Sequence, residues 1–274
     1  MQPFPGAGER LLFFMVQKPG ELTEHERALY GRNMLLEGIG EAGQIKLLES
    51  RVLVVGLGGL GSPALYYLAA AGIGEIGMVD SDRVDVSNLQ RQILHGHEDI
   101  GRQKTLSAQE SIARLRRDIR LQAYPFRLTE ANAAEVLASY DFVIEATDNF
   151  KSKFLINDVC VHMGKAFSHA GILGMYGQTM TVVPGSGPCF RCVFGDEPDR
   201  GAVKTTDEVG VLGTVAGIIG TIQATEAIKY LLGLGDLLVG RLLSLDAVGM
   251  HFREIKLPPQ RRCGVCFAKD EKGE

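Results

Sequence analysis

Residues 54–63 read VVGLGGLGSP, a β-branched apolar run that enters a glycine-rich turn and opens into a helix. Residues 51–56 (RVLVVG) have the composition of a strand buried on both faces of a parallel sheet. Residues 62–71 (SPALYYLAAA) are helix-forming, and Pro63 falls in the first turn, where its missing N–H costs nothing. Between them Gly56, Gly58, Gly59 and Gly61 match G-x-G-x-x-G. Glycines let a backbone approach phosphate oxygens, and a helix N-terminus offers free N–H groups and a positive dipole. A strand, turn and helix of this kind predict an α/β fold with a nucleotide at its first βα turn.

The following residues extend that pattern. Residues 75–80, 119–124 and 141–146 read as further strands, with helices over 105–117 and 130–139 between them. Such alternation predicts a doubly wound, Rossmann-like and mostly parallel sheet. After about residue 165 the character changes. Residues 178–183 and 242–247 read as strands, 251–257 (HFREIKL) alternate like an exposed one, and 210–232 form a long, apolar, glycine-dotted helix. The expectation is one domain over 21–274, with a nucleotide-binding half at 21–165 and a half at 166–274 that adds antiparallel strands. Residues 1–20 are expected to be a flexible segment, with Met15 an alternative start.

Composition excludes several classes. A net charge of −4 argues against a nucleic-acid or anionic-membrane surface. The apolar run 11–16 (LLFFMV) is too short for a signal peptide and far too short for a membrane span, so a cytoplasmic protein is expected.

The identity of the nucleotide rests on residues beyond the turn. Asp80, with Asp82 beside it, ends the second strand, where a carboxylate hydrogen-bonds a ribose. To this point NAD and ATP fit equally. Then come Ser87, Asn88, Leu89, Gln90, Arg91 and Gln92, with Lys104 further on. A hydride-transfer site has no need of cationic and amide side chains there. A phosphoryl- or nucleotidyl-transfer site does, because charge grows on phosphate oxygens in the transition state. Arg clamps phosphates with two donors and Lys supplies a point charge. Asp148 and Asn149 follow the strand at 141–146, at the carboxyl edge of the sheet, where a carboxylate is placed to hold Mg²⁺ on a triphosphate.

Four of the five cysteines form two C-x-x-C pairs, Cys189 with Cys192 and Cys263 with Cys266. In a cytosolic chain that pattern favours a closed four-thiolate structural Zn²⁺ site over disulfides. Cys160 has apolar neighbours and reads as a buried, inert thiol.

Together these motifs resemble the MoeB/ThiF/HesA family, bacterial relatives of ubiquitin-activating enzymes, over about residues 22–267. The resemblance implies adenylation of a C-terminal glycine carboxylate on a ubiquitin-like sulfur-carrier protein, using Mg-ATP and releasing pyrophosphate. It assigns Asp80 to the ribose, Asn88, Arg91 and Lys104 to the triphosphate, and Asp148 to Mg²⁺. It implies a homodimer in which Arg32, in Tyr30-Gly31-Arg32-Asn33, reaches the partner's ATP; Leu29 stands where many members have a second arginine. Some relatives carry an acceptor cysteine before the long helix. Here Thr205 and Thr206 occupy that stretch, so the enzyme is expected to stop at the acyl-adenylate and leave sulfur transfer to a separate donor. The carrier is expected to end in Gly-Gly and to dock on residues 251–257 or the loop 195–206, serving molybdopterin, thiamine or related sulfur transfer. Three other readings stand beside this one. They are a tRNA-modifying dehydratase relative that adenylates a small carboxylate, an NAD-linked oxidoreductase, and a zinc-stabilised binding protein without catalysis.

Overall fold

Strand β1 (Arg51–Val55) is buried from its second residue onward and lies inside the sheet. It is paired in parallel with β2 (Glu75–Val79) on one side and β4 (Phe142–Glu145) on the other. Its side chains alternate between two cores, as a strand of period two requires. Val52 and Val54 enter one core, and Leu53 and Val55 the other. β3 (Arg120–Tyr124) pairs in parallel with β2, and β5 (Phe167–Leu173) with β4. β6 (Tyr176–Val182), β7 (Arg241–Asp246) and β8 (His251–Lys256) then continue the sheet with antiparallel pairing. The order is β3-β2-β1-β4-β5-β6-β7-β8.

The computed structural model describes residues 20–199, 201–258 and 263–266. Residues 1–19 of the expected flexible segment, and so Met15, lie outside the described residues. Among the described residues no helix is long and apolar enough to cross a membrane.

Two helices precede the sheet that the sequence reading does not contain, α1 (Glu24–Met34) and α2 (Gly40–Glu49). The start of α1 is set by a capping box: Thr23 accepts the Glu26 N–H, and the Glu26 carboxylate takes the Thr23 N–H. α3 (Gly61–Ala71) and α4 (Lys104–Leu115) cover one face with the long α9 (Gly213–Leu232). α5 (Ala133–Ala138) and α6 (Phe150–His162) cover the other. Two short helices, α7 (Phe190–Phe194) and α8 (Thr206–Val209), lie between β6 and α9.

β5, α7 and α8 are also absent from the sequence reading. α9 begins at Gly213 and not at residue 210, because residues 210–212 are held by the β5–β6 turn. Gly174 donates to the Gly210 carbonyl, and Leu212 to that of Gly174. A Cβ on Gly213 would lie 2.6 Å from the Gln90 carbonyl, so the helix presses its start against the backbone of Gln90 and Arg91. Cys160 sits at 0% exposure in the α6 core, where burial pushes its thiol far above the usual range.

Candidate active site

The turn after β1 is shaped by two close approaches. Gly56 has φ +95°, and a Cβ on it would fall 2.6 Å from the Ala146 carbonyl at the end of β4. A Cβ on Gly61 would fall 1.9 Å from the Gly56 carbonyl, so Gly61 packs the first turn of α3 against the strand and does not line the cavity. Beneath the turn, buried His95 places Nε2 3.1 Å from the Leu57 carbonyl and Nδ1 2.8 Å from Ser107 Oγ. Burial lowers its pKa, so the imidazole is neutral, with Nε2–H on the carbonyl and Nδ1 accepting from the hydroxyl.

A cavity of about 730 Å³ opens over the carboxyl ends of β1 and β4, the point at which the strand order reverses. Gly56, Gly58, Gly59, Asp80, Asp82, Arg91, Lys104, Asp148 and Asn149 all line it. Asp80 accepts the Leu57 N–H on one carboxylate oxygen and the Asp82 N–H on the other, each at 2.8 Å. That fixes it against the glycine turn. Lys104, at the first position of α4, is buried, and its Nζ is 3.2 Å from Asp82 Oδ2. Arg91 donates to the Ser87 carbonyl at 3.0 Å and makes no ion pair among the described residues. Asp148 is exposed in the cavity and, among the described residues, its side chain meets only the Asn149 amide, at 3.4 Å. Asn149 also caps α6, accepting the Ser152 N–H at 2.9 Å.

Ser87, Asn88, Leu89 and Gln90 do not line the cavity. Asn88 is engaged with Asp85 in a capping box, its side-chain oxygen taking the Asp85 N–H at 3.2 Å. The segment thus serves as a short turn of helix that carries Arg91 and Gln92 to the wall. Arg32, on α1, lies elsewhere. Its neighbour Asn33 bonds the Ala71 carbonyl at the C-terminal end of α3, whereas the cavity sits at the N-terminal end.

Sequence reasoning missed a buried charge cluster under the cavity. The Glu145 carboxylate, at the end of β4, receives Lys153 Nζ at 2.9 and 3.0 Å, and both the N–H (2.8 Å) and O–H (2.6 Å) of Thr147. His169 Nδ1 lies 2.7 Å from it. Burial pushes the Glu145 carboxyl up, but Lys153, His169 and Thr147 together outweigh it and hold it low, at about 2. Lys153 also donates to the Thr147 and Ala170 carbonyls at 2.7 Å each. Lys153 and His169 line the cavity, as do Phe126 and Arg127 beyond β3. No local pattern marks any of these four residues.

The cavity continues over β5, β6 and β7 to the loop before α9, where Thr205 and Thr206 form part of its wall and no cysteine lines it. Beyond it, on the side of α6, the four sulfurs of Cys189, Cys192, Cys263 and Cys266 lie within 4.8 Å of one another. Their separations include 3.8, 3.7 and 3.3 Å. Zn–S bonds of about 2.3 Å in a tetrahedron put sulfurs about 3.8 Å apart, so the thiols fit a closed zinc site. Burial pushes the Cys189 thiol up to about 11, and a cation is what would hold it as a thiolate near neutral pH.

A model of the ThiF family matches residues 30–265. A sulfur carrier protein adenylyltransferase of Thermus thermophilus is 44% identical over 249 residues, covering 89% of this chain and 92% of that protein. A SAMP-activating enzyme E1 of Haloferax volcanii is 44% identical over 237 residues, covering 86% and 87%. The adenylyltransferase and sulfurtransferase MOCS3 of Drosophila persimilis is 41% identical over 250 residues, which take in 91% of this chain and 55% of that protein. Among solved structures, E. coli MccB has the same fold, with a TM-score of 0.77, 21% identity, and 86% of this chain and 74% of that one covered. The chain is an adenylyltransferase and belongs to the ThiF family.

Proposed function

We propose that the enzyme activates the C-terminal glycine carboxylate of a ubiquitin-like sulfur-carrier protein as its acyl-adenylate, with release of pyrophosphate. The observation that carries this reading is one continuous cavity. Its inner end gathers Arg91, Lys104 and Asp148 about the glycine turn, and its outer end runs over β5–β7 to the wall at Thr205 and Thr206.

A glycine carboxylate is ionised at neutral pH, so no general base is needed. A carboxylate oxygen bonds to the α-phosphorus as the bond to the bridging oxygen breaks, and pyrophosphate leaves. Arg91 and Lys104 neutralise the triphosphate, and Asp80 with Asp82 holds the ribose edge beside Gly56, Gly58 and Gly59. Asp148, free of any ion pair among the described residues, would hold Mg²⁺, which supplies charge neutralisation on the phosphates. Asn88 positions Arg91. With threonines and no cysteine in the outer wall, the product is handed to a separate sulfur donor.

Arg32 does not line its own chain's cavity, which supports a homodimer with Arg32 acting on the partner's site. The four cysteines would hold a structural zinc that ties the residues around Cys263 and Cys266 to the turn at Cys189. The names of the relatives support a sulfur-carrier substrate. In this reading the carrier serves molybdopterin, thiamine or related sulfur transfer, and the enzyme works in the cytoplasm.

The test is ATP–pyrophosphate exchange with zinc-loaded protein and each ubiquitin-like protein encoded by the same genome. Exchange with one carrier, lost when its last glycine is removed, is the expected result. Exchange with small carboxylates alone would select the dehydratase-like reading, and nicotinamide binding the oxidoreductase.

A further inference from the structure

The floor of the outer cavity is built from strand partners. Gly171 on β5 pairs with Gln178 on β6, and Gln178 with Ser244 on β7; all three line the cavity. His169 is two residues before Gly171 and so faces the same side of β5. Its Nδ1 is 2.7 Å from the Glu145 carboxylate, which accepts the Nδ1 proton. Burial keeps the ring neutral, so Nε2 carries a lone pair and no proton.

That Nε2 has no hydrogen-bond partner among the described residues, although His169 is only 2% exposed. The ring is clamped by Phe190 and Phe194, with centroids 4.5 and 5.5 Å away. A buried, oriented, unpaired acceptor is costly to keep, and it faces a cavity. A Cβ on Gly171 would sit 4.0 Å from His169 Nε2 and 3.6 Å from Gln178 Nε2, with nothing nearer than the Gln178 side chain. The space over Gly171 is therefore bordered by one acceptor and one amide donor. A peptide unit offers the complement, one N–H and one C=O.

We propose that His169 Nε2 accepts a backbone N–H of the carrier's C-terminal tail while the Gln178 amide donates to a tail carbonyl, which makes His169 a specificity-determining residue. The inference rests on the carrier reading above and deepens it. An anionic terminus does not fit at this point, because Nε2 offers a lone pair and the Lys153 ammonium nearby is already paired with Glu145; the carboxylate belongs at the Arg91 and Lys104 end. Glycines suit the tail because they allow its backbone to lie close against the floor at Gly171.

The experiment pairs enzyme and tail variants. The probe is a Gly-Gly-ended carrier that supports exchange, rebuilt with N-methylglycine at its last or second-last residue, which deletes one N–H at a time. With the wild-type enzyme, methylation at one position should raise the carrier KM about three- to tenfold. With His169→Ala, that same methylation should cost nothing further. Equal losses in both enzymes overturn the proposal. If His169→Ala does not fold, long-range ¹H–¹⁵N spectra of histidine-labelled wild type decide: the His169 Nε2 resonance moves on carrier addition, or the proposal fails. Exchange with no Gly-Gly-ended carrier at all defeats the carrier reading itself, and this inference with it.

Discussion

Lys104 Nζ lies 3.2 Å from Asp82 Oδ2, joining a buried ammonium to a carboxylate that is 59% exposed. The pair is unequal, and so are the consequences of breaking it. Asp82 can be solvated alone, so Lys104→Ala should change folding stability by about 1 kcal/mol or less. Its cost should fall on chemistry, because the ammonium is aimed at developing phosphate charge. Exchange should drop about 100-fold or more. Urea denaturation and pyrophosphate exchange on the same preparation check both halves, and a stable variant with undiminished exchange would remove Lys104 from the reaction.

The Glu145–Lys153 pair is the opposite case, with both partners buried. Lys153→Met leaves a carboxylate without its cation and should cost about 3–5 kcal/mol in urea unfolding. Lys153→Met with Glu145→Gln should recover part of that.

The same cluster sets a pH dependence. Glu145 is held at about 2 in the folded protein, below its ordinary 4.5. Its contribution is therefore complete above about pH 4.5 and is lost as pH falls toward 2. His169 and His95 also have lowered values, both by burial, so protonating them disfavours the folded state. Stability should begin to fall below about pH 6.5, the unfolded histidine value, and fall again below about 4.5. Urea midpoints between pH 8 and 3 check this. A flat profile down to pH 4 would mean that these histidines are not neutral in the folded protein.

The difference between what the sequence discloses and what it hides follows from locality. The glycine turn, Asp80, Lys104 and Asp148 each sit at the end of a strand or the start of a helix, so chain order places them at one sheet edge. Glu145 and His169 come from β4 and β5 and meet through the sheet register, in which they are opposite, and Lys153 reaches them from the first turn of α6. No motif or spacing around Lys153 marks it as buried. β5 itself is obscured because Phe167–Leu173 mixes serine, histidine and glycine with its apolar residues. The Ser87–Gln90 stretch shows the reverse: its position is legible, and the structure places it in a short helical turn that leads into Arg91 and lies outside the cavity wall.

The cysteine cluster predicts a metal dependence separate from catalysis. Purified protein should contain one zinc per chain, and its removal should lower the melting temperature by about 5 °C or more. Cys263→Ser should do the same while leaving Lys104, Arg91 and Asp148 in place. Metal analysis and calorimetry suffice. A zinc-free protein of unchanged melting temperature would show that the four thiols serve something other than structure.

Arg32 supplies the sharpest test of assembly. It lies on α1, which is tied to the C-terminal end of α3, so its own cavity, at the other end of that helix, is not lined by it. If it acts on a partner's nucleotide, Arg32→Ala and Asp148→Ala should each be inactive alone but complement when refolded together. Random assembly makes half the dimers mixed, and each mixed dimer has one complete site, combining the Asp148 of one subunit with the Arg32 of the other. Exchange should therefore recover to about a quarter of wild type. Recovery near zero, from mixtures shown to be dimeric, would place Arg32 within its own subunit's site, and an Arg32→Ala variant active on its own would place it outside the reaction. Recovery near a quarter would fix both the dimer and the direction of the arginine in one measurement.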